Sequence, residues 1–221
     1  MAVTQVGTIA IDRLVVGMID TNCYILTSAS GCVVIDPGGD FPVILEQLAG
    51  RTPDAIVLTH RHPDHIDALA ALKKATGAPV YAHELDVEGI EHPETDHGPG
   101  SVFGAPEGTK VDVHLHDGDA VVAGDIALSV LFTPGHTPGG ISLLLSDPAG
   151  EPAVLFSGDT LFAGGIGRTD LEGGSYQQIV DSIRTKLAPL PDRVRVLPGH
   201  GPGSTVAAER RANPLMSGVR R

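Results

Sequence analysis

The stretch Thr59-His60-Arg61-His62-Pro63-Asp64-His65 puts three imidazoles and a carboxylate within six residues. Neutral imidazole nitrogens and carboxylate oxygens are the ligands that zinc and iron prefer. A lone histidine in a turn is usually solvated or a cap, but four such groups side by side are not accounted for in that way. One ion cannot easily use all four, so His60 and His62 can share one ion while Asp64 and His65 turn toward another. Three further candidates match them: His136 in Thr-Pro-Gly-His-Thr-Pro-Gly-Gly, Asp159 in Ser-Gly-Asp-Thr and His200 in Pro-Gly-His-Gly. Each stands beside glycine, which lets the backbone turn sharply enough to aim a side chain inward. Two cations held close together would ionise a shared water near neutral pH and stabilise a developing oxyanion, which is hydrolytic chemistry. No Gly-x-Ser-x-Gly elbow offers a protein nucleophile in their place.

The elements that must position these groups can be read from apolar periodicity. Strands are expected at 14–19, 22–27 and 32–35, the last two joined as a hairpin by Ser28-Ala29-Ser30-Gly31. A helix follows at 41–48, then an apolar strand at 55–58 that delivers the histidine-rich segment. A helix with Ile66, Leu69 and Leu72 on one face comes next. A strand at Val80 and Tyr81 and a helix at 84–89 lead into 91–110, rich in Pro, Gly and acid, which reads as a surface loop beside the site. Strands are expected at 111–115, 120–122, 126–132, 141–145, 153–156 and 193–197, with helices at 176–187 and 206–211. The candidate ligands outside the first cluster therefore fall at strand ends, where sites in α/β sheets gather.

Composition bounds the partners. With 27 acidic against 15 basic residues, the formal net charge of −12 repels phosphate backbones and anionic membrane surfaces, so neither nucleic acid nor a membrane is expected as a partner. No apolar run approaches the ~20 residues of a spanning helix, and the first residues do not read as a secretory signal; a cytoplasmic protein is expected. Cys23 and Cys32 lie in apolar strand-like runs and read as buried thiols. His83 is expected near a helix start, His97 in the irregular loop, and His114 and His116 on a solvated strand edge.

The whole pattern resembles the metallo-β-lactamase superfamily, whose defining motif is His-x-His-x-Asp-His. The resemblance is carried by Asp36-Pro37-Gly38-Gly39, the motif itself, Gly135-His136-Thr137, Ser157-Gly158-Asp159-Thr160 and Gly199-His200-Gly201, and so covers nearly the whole chain. The run from Leu161 through Gly167-Arg168-Thr169-Asp170, and the tail Glu209-Arg210-Arg211-Ala212-Asn213-Pro214, look like the short glyoxalase II-like branch. The resemblance implies an α/β fold built as a four-layered αββα sandwich. It implies a first metal on His60, His62 and His136, a second on Asp64, His65 and His200, and Asp159 bridging them. It implies two divalent ions, zinc first, with iron or manganese as alternatives.

The activity so implied is hydrolysis of a small-molecule thioester, an S-acyl thiol such as S-lactoylglutathione, with Asp64 orienting the metal-activated hydroxide. A thiolate leaves with little need for a general acid. Full-length glyoxalase II carries a C-terminal helical domain that binds glutathione, whereas residues 1–221 read here as a single domain without it. Arg168 and the segment 164–174 are the candidates to replace it. Arg168 would either hold a substrate carboxylate in bidentate fashion or pair with Asp170, and Tyr176 would either line the pocket or pack in the core. The chain also resembles persulfide dioxygenases through Gly167-Arg168-Thr169-Asp170 and Asn213-Pro214. Those enzymes hold a single iron at positions matching His60, His136 and Asp159. Phe162-Ala163-Gly164-Gly165-Ile166 favours the hydrolase. A lactonase or other ester hydrolase on the same fold is a further alternative. The oligomeric state is left open.

Overall fold

The computed structural model describes residues 4–95 and 104–217. In its first half, β1 (Thr4–Val6), β2 (Ile9–Val16), β3 (Thr21–Thr27) and β4 (Cys32–Ile35) precede α1 (Phe41–Leu48) and β5 (Ala55–Val57). Then come α2 (Pro63–Ile66), α3 (Leu69–Thr76), β6 (Val80–His83), a 3-10 turn at Glu84–Asp86, α4 (Val87–Glu91) and β7 (Val113–Leu115). The second half comprises β8 (Ala120–Ala123), β9 (Ile126–Phe132), β10 (Ile141–Ser146), β11 (Pro152–Gly158), β12 (Leu161–Phe162), β13 (Gly165–Ile166) and α5 (Tyr176–Ser182). It closes with β14 (Arg195–Pro198), β15 (Ser204–Thr205) and α6 (Val206–Ala212).

Strands β1 to β7 form one sheet in sequence order, antiparallel through β4 and parallel from β4 to β7. The other sheet runs β15-β14-β11-β10-β9-β8, with β11 and β14 its parallel pair. Alternation along the strands explains how the layers stack. Val33 and Ile35 point into a core shared with Val130, Leu143, Val154 and Phe156 of the second sheet. Val34 and Ile56 point the other way, against Ile44 and Leu48 of α1 and Leu69 and Leu72 of α3. Leu155 and Val196 likewise face Ile179, Ile183 and Val206 on the helices of the second half. The result is helices, sheet, sheet, helices, the expected four-layered αββα sandwich. Tyr24 and Phe156 meet edge-to-face at 5.1 Å between the sheets, and burying one such side chain contributes about 1.5–3 kcal/mol.

Several expectations needed correction. β1 and the first part of β2 were not anticipated, and β2 stops at Val16, because Gly17–Asp20 form a tight turn with Gly17 and Asp20 at positive φ. The helix expected around Ile66–Leu72 is two helices, α2 and α3. The one expected at 84–89 is the 3-10 turn followed by α4. The helix expected at 176–187 changes to a π-helical turn over Ile183–Leu187. Within the glycine-rich run, β12 and β13 form a small hairpin. The β3–β4 hairpin is as expected, with Thr27 opposite Cys32. Both cysteines are free and buried, and burial pushes both thiols up, as suits inert core residues. His97 and much of the loop expected at 91–110 lie outside the described residues. No helix among the described residues is long and apolar enough to cross a membrane.

Candidate metal centre

Each candidate ligand is delivered where a strand stops. β5 ends at Val57, and the chain turns through His60 and His62 into α2, with His62 as its extended N-cap and Pro63 opening its first turn. Asp64 and His65 follow on that short helix. β9 leads to His136, β11 to Asp159 and β14 to His200. All seven predicted residues thus meet at one edge of the sandwich, from loops of both sheets. Donor atoms of His60, His62 and His136 lie within 4.8 Å of one another, as do those of Asp64, His65 and His200, and those of His60, His65 and Asp159.

Hydrogen bonds on the far side of four of the five rings fix which nitrogen is bare. A carboxylate or carbonyl can only accept, so its partner nitrogen carries the proton. His65 donates from Nδ1 to Asp36 Oδ2 at 3.0 Å, His136 from Nδ1 to the Arg168 carbonyl at 2.8 Å, and His200 from Nδ1 to the Ile19 carbonyl at 3.2 Å. The Thr59 hydroxyl gives its own proton to Asp36 at 2.6 Å, so it accepts from His60 Nδ1 at 3.0 Å. Neutral His60, His65, His136 and His200 then all aim a bare Nε2 inward. Nε2 of His65 and of His200 face each other at 3.3 Å. Two nitrogens sharing one tetrahedral ion at ~2.0 Å would stand about that far apart. His62 Nδ1 and His136 Nε2 approach to 2.8 Å. Asp159 spans the two groups, Oδ1 lying 3.4 Å from His65 and Oδ2 3.5 Å from His136 and 3.7 Å from His200. Among the described residues, His60 Nε2, Asp64 Oδ1 and Asp159 Oδ1 are buried with no hydrogen-bond partner. Converging lone pairs and orphaned buried acceptors are costly alone and are satisfied by cations, so this donor set fits two metal ions.

The electrostatics divide the site in two. Burial, then the neighbouring imidazoles, holds His60 and His62 well below the ordinary histidine range. Burial also lowers His136, though Asp159 opposes it. Burial would lower His65 and His200 too, but the surrounding carboxylates, Asp64 and Asp159 foremost, outweigh it and hold both above the usual value. Burial would raise Asp159, yet His65 and the other rings keep its carboxylate ionised far into acid.

A cleft of about 370 Å³ opens over the centre, lined by Ile19, His136, Asp159, Phe162, Arg168 and His200. A smaller pocket of about 140 Å³ shares Ile19 with it and has Met18, Asp64, Asp67 and Gly104 in its wall. Arg168 lines the larger cleft, but its guanidinium makes two bonds of 2.8 Å to Asp170, the internal pair that was one of its two expected roles. Its carbonyl, not its side chain, serves the centre by orienting His136. Tyr176 is 59% exposed at the start of α5, so it is not a core residue, and it lines neither pocket. His83 caps the 3-10 turn by accepting from Leu85 N–H, and it stacks on Phe132 at 4.3 Å. His114 and His116 are exposed, as expected.

Sequence reasoning missed the roles of the residues that hold the ligands. Asp36 sits at φ 52°, a left-handed conformation uncommon outside glycine, and from there accepts from Thr59 and His65 at once. Asp86 is buried beneath the loops of His62 and His136, and burial pushes its carboxyl up to about 6 against the pull of its donors Thr137 and Gly139. Asn22 grips the His200 loop. Glu209 accepts from Gly164 N–H and Asn213 donates to the Gly165 carbonyl, so the tail anchors the β12–β13 hairpin beside Phe162. Asp36 and the tail belong to the motifs that carry the family resemblance, which signalled them without assigning a role.

Comparison with known proteins agrees with this geometry. The family model described as "Metallo-beta-lactamase superfamily" matches residues 16–200. The chain is 40% identical to a probable metallo-hydrolase, YqgX, of Bacillus subtilis, over 93% of this chain and 97% of that protein. It is 34% identical to the hydroxyacylglutathione hydrolase GloC of Haemophilus influenzae, over 89% and 92% of the two chains. Among solved structures it superimposes on the B3 metallo-beta-lactamase BLEG-1 with a TM-score of 0.85 at 37% identity, covering 94% of this chain and all of that one. It superimposes on TTHA1623 in a di-iron-bound form with a TM-score of 0.79 at 37% identity, covering 92% and 98%. The chain therefore belongs to the metallo-beta-lactamase superfamily and is one of its metallo-hydrolases.

Proposed function

We propose that the protein is a thioesterase that hydrolyses an S-acyl low-molecular-weight thiol at two divalent cations. His60, His62 and His136 would hold one cation and Asp64, His65 and His200 the other, with Asp159 placed between the two groups. The observation that carries this reading is the pair of triads facing each other across Asp159 beneath an open cleft. When bound, the cations would acidify a shared water and polarise the substrate carbonyl. The chain's own groups supply the rest. Asp64 Oδ1, buried and with no hydrogen-bond partner among the described residues, is available to accept a hydrogen bond from the attacking water and orient it. The Ile19 and Phe162 side chains form the apolar part of the cleft wall. The sulfur leaves as thiolate, so no side chain need protonate it. Likeness to a hydroxyacylglutathione hydrolase over nearly the full chain supports the thioester among the esters the fold could cleave. We take residues 1–221 to act as one catalytic domain, with Arg168 entering substrate binding only by exchanging Asp170 for a substrate carboxylate. Zinc is the expected metal; the di-iron form of a similar structure makes iron the second candidate.

The test is metal analysis of the purified protein followed by a panel of S-lactoylglutathione, other acyl thiols, lactones and a β-lactam. Two metals per chain and turnover confined to the thioesters are expected. One iron per chain, with oxygen uptake on glutathione persulfide, would replace the thioesterase by a dioxygenase.

A further inference from the structure

Asp86 lies more than twenty residues from any candidate ligand in sequence, yet its carboxylate gathers the two loops that carry the first triad. It is fully buried at the end of the 3-10 turn after β6. Oδ2 accepts from the Thr137 hydroxyl at 2.6 Å and from the Arg61 N–H at 3.2 Å, and Oδ1 accepts from the Gly139 N–H at 2.8 Å. Arg61 stands between His60 and His62, and Thr137 follows His136. One carboxylate thus ties the backbone between two ligands to the residue beside the third. Gly139 lets it approach, since a Cβ there would stand 2.6 Å from Asp86 Cγ. Among the described residues, none of the hydrogen bonds of Asp86 ends on α2, which carries Asp64 and His65, or on the His200 loop.

The second triad has its own clamp. Asn22 donates from its backbone N–H to the Gly199 carbonyl at 2.7 Å, and from Nδ2 to the carbonyls of Pro198 at 2.8 Å and Gly201 at 3.0 Å. These bonds bracket His200, and the Tyr24 hydroxyl adds a bond of 2.7 Å to Pro198.

We propose that Asp86 is a positioning residue for the first triad alone, setting the spacing of His62 and His136 and hence that site's affinity for metal, while Asn22 does the same for the second. This rests on the two-metal reading of the centre. A carboxylate that accepts three bonds holds three donors at fixed distances. Its loss frees both loops, and loss of such an outer partner typically weakens metal binding 10–100-fold.

The experiment measures zinc affinity by chelator competition in full-length protein with one triad disabled at a time. With the second triad disabled by His200→Ala, adding Asp86→Ala is expected to weaken the remaining site about 10–100-fold. With the first disabled by His62→Ala, Asp86→Ala is expected to leave the remaining affinity unchanged, and Asn22→Ala to weaken it. Circular dichroism of the metal-free proteins checks that they fold; should Asp86→Ala not fold, Asp86→Asn, which keeps the shape and one acceptor, carries the same comparison with a smaller loss. Equal weakening in both backgrounds, or none with His200→Ala, overturns the assignment. Wild-type protein that takes up neither zinc nor iron defeats the metal centre itself and the clamps with it, whatever the thioester panel gives.

Discussion

His60 is the ligand-type residue with least freedom to do anything else. Its ring is buried, its Nδ1 is committed to Thr59, and its Nε2 points at nothing but the centre of the site. His60→Ala should therefore cost metal and turnover together. Losing several kcal/mol of transition-state stabilisation lowers the rate by about 10³-fold or more. An active, metal-free His60→Ala protein would remove the mechanism. The protonation pattern gives a second expectation. Each histidine must shed its proton to bind metal, so affinity falls as pH falls. His65 and His200 have raised values, so a proton competes there already above the ordinary histidine range; His60, His62 and His136 have lowered values and compete only below it. Acid should thus strip the Asp64–His65–His200 ion first, seen as loss of one metal equivalent before the other on dialysis at stepwise lower pH. Simultaneous loss of both would contradict this. The seven ligand-type residues were legible in the sequence because ring and carboxylate types at that spacing have few other uses. Asp86 and Asn22 were not, because a single polar residue beside a strand looks like any turn residue; Asp36 stood in a resembling motif but its role was not legible, and Arg168 acts through a backbone carbonyl that every residue possesses.

At the scale of elements, the site depends on loops that pack with no room for a side chain. A Cβ on Gly199 would stand 2.2 Å from Asp159 Oδ1 and 2.7 Å from His65 Cε1. Gly199→Ala should push the bridging carboxylate from its place, and a displacement near 1 Å costs about 10²-fold in rate. Activity should fall by that order in a protein whose circular dichroism is unchanged; wild-type turnover would mean that Asp159 is not a fixed bridge. The long, regularly patterned strands were legible, as were the β3–β4 hairpin and the helix over Phe41–Leu48. β1 was not, because Gly7 interrupts three-residue alternation too short to register, and the β12–β13 hairpin pairs only Leu161 with Ile166 and Phe162 with Gly165. The break between α2 and α3 is set by packing around the site: Asp64 and His65 occupy the first helix, and the Ala68 N–H turns to the Pro37 carbonyl.

Across the whole molecule, the centre stands where the two halves meet, which are also joined by their shared apolar core and by hydrogen bonds such as Asn22 to Pro198 and Asp86 to Thr137. His60, His62, Asp64 and His65 come from the first half, and His136, Asp159 and His200 from the second. Metal bound only to the folded state stabilises by mass action, about 4 kcal/mol at a thousandfold excess over Kd. For a chain of this size that is roughly 10 °C in Tm. Chelation should lower Tm by about that amount in calorimetry, with recovery on adding zinc; an unchanged Tm would mean that the sheets do not share the ions. The four-layer order was not derivable from periodicity alone, which gives faces but not which face meets which; it came from the resemblance carried by the site motifs. The most direct test of the central claim is anomalous diffraction at the metal edge from crystals of the purified protein. Two peaks are predicted, one among His60, His62 and His136 and one among Asp64, His65 and His200, about 3.5–4 Å apart. Crystals of fully active enzyme with no anomalous peak at either triad would contradict the account.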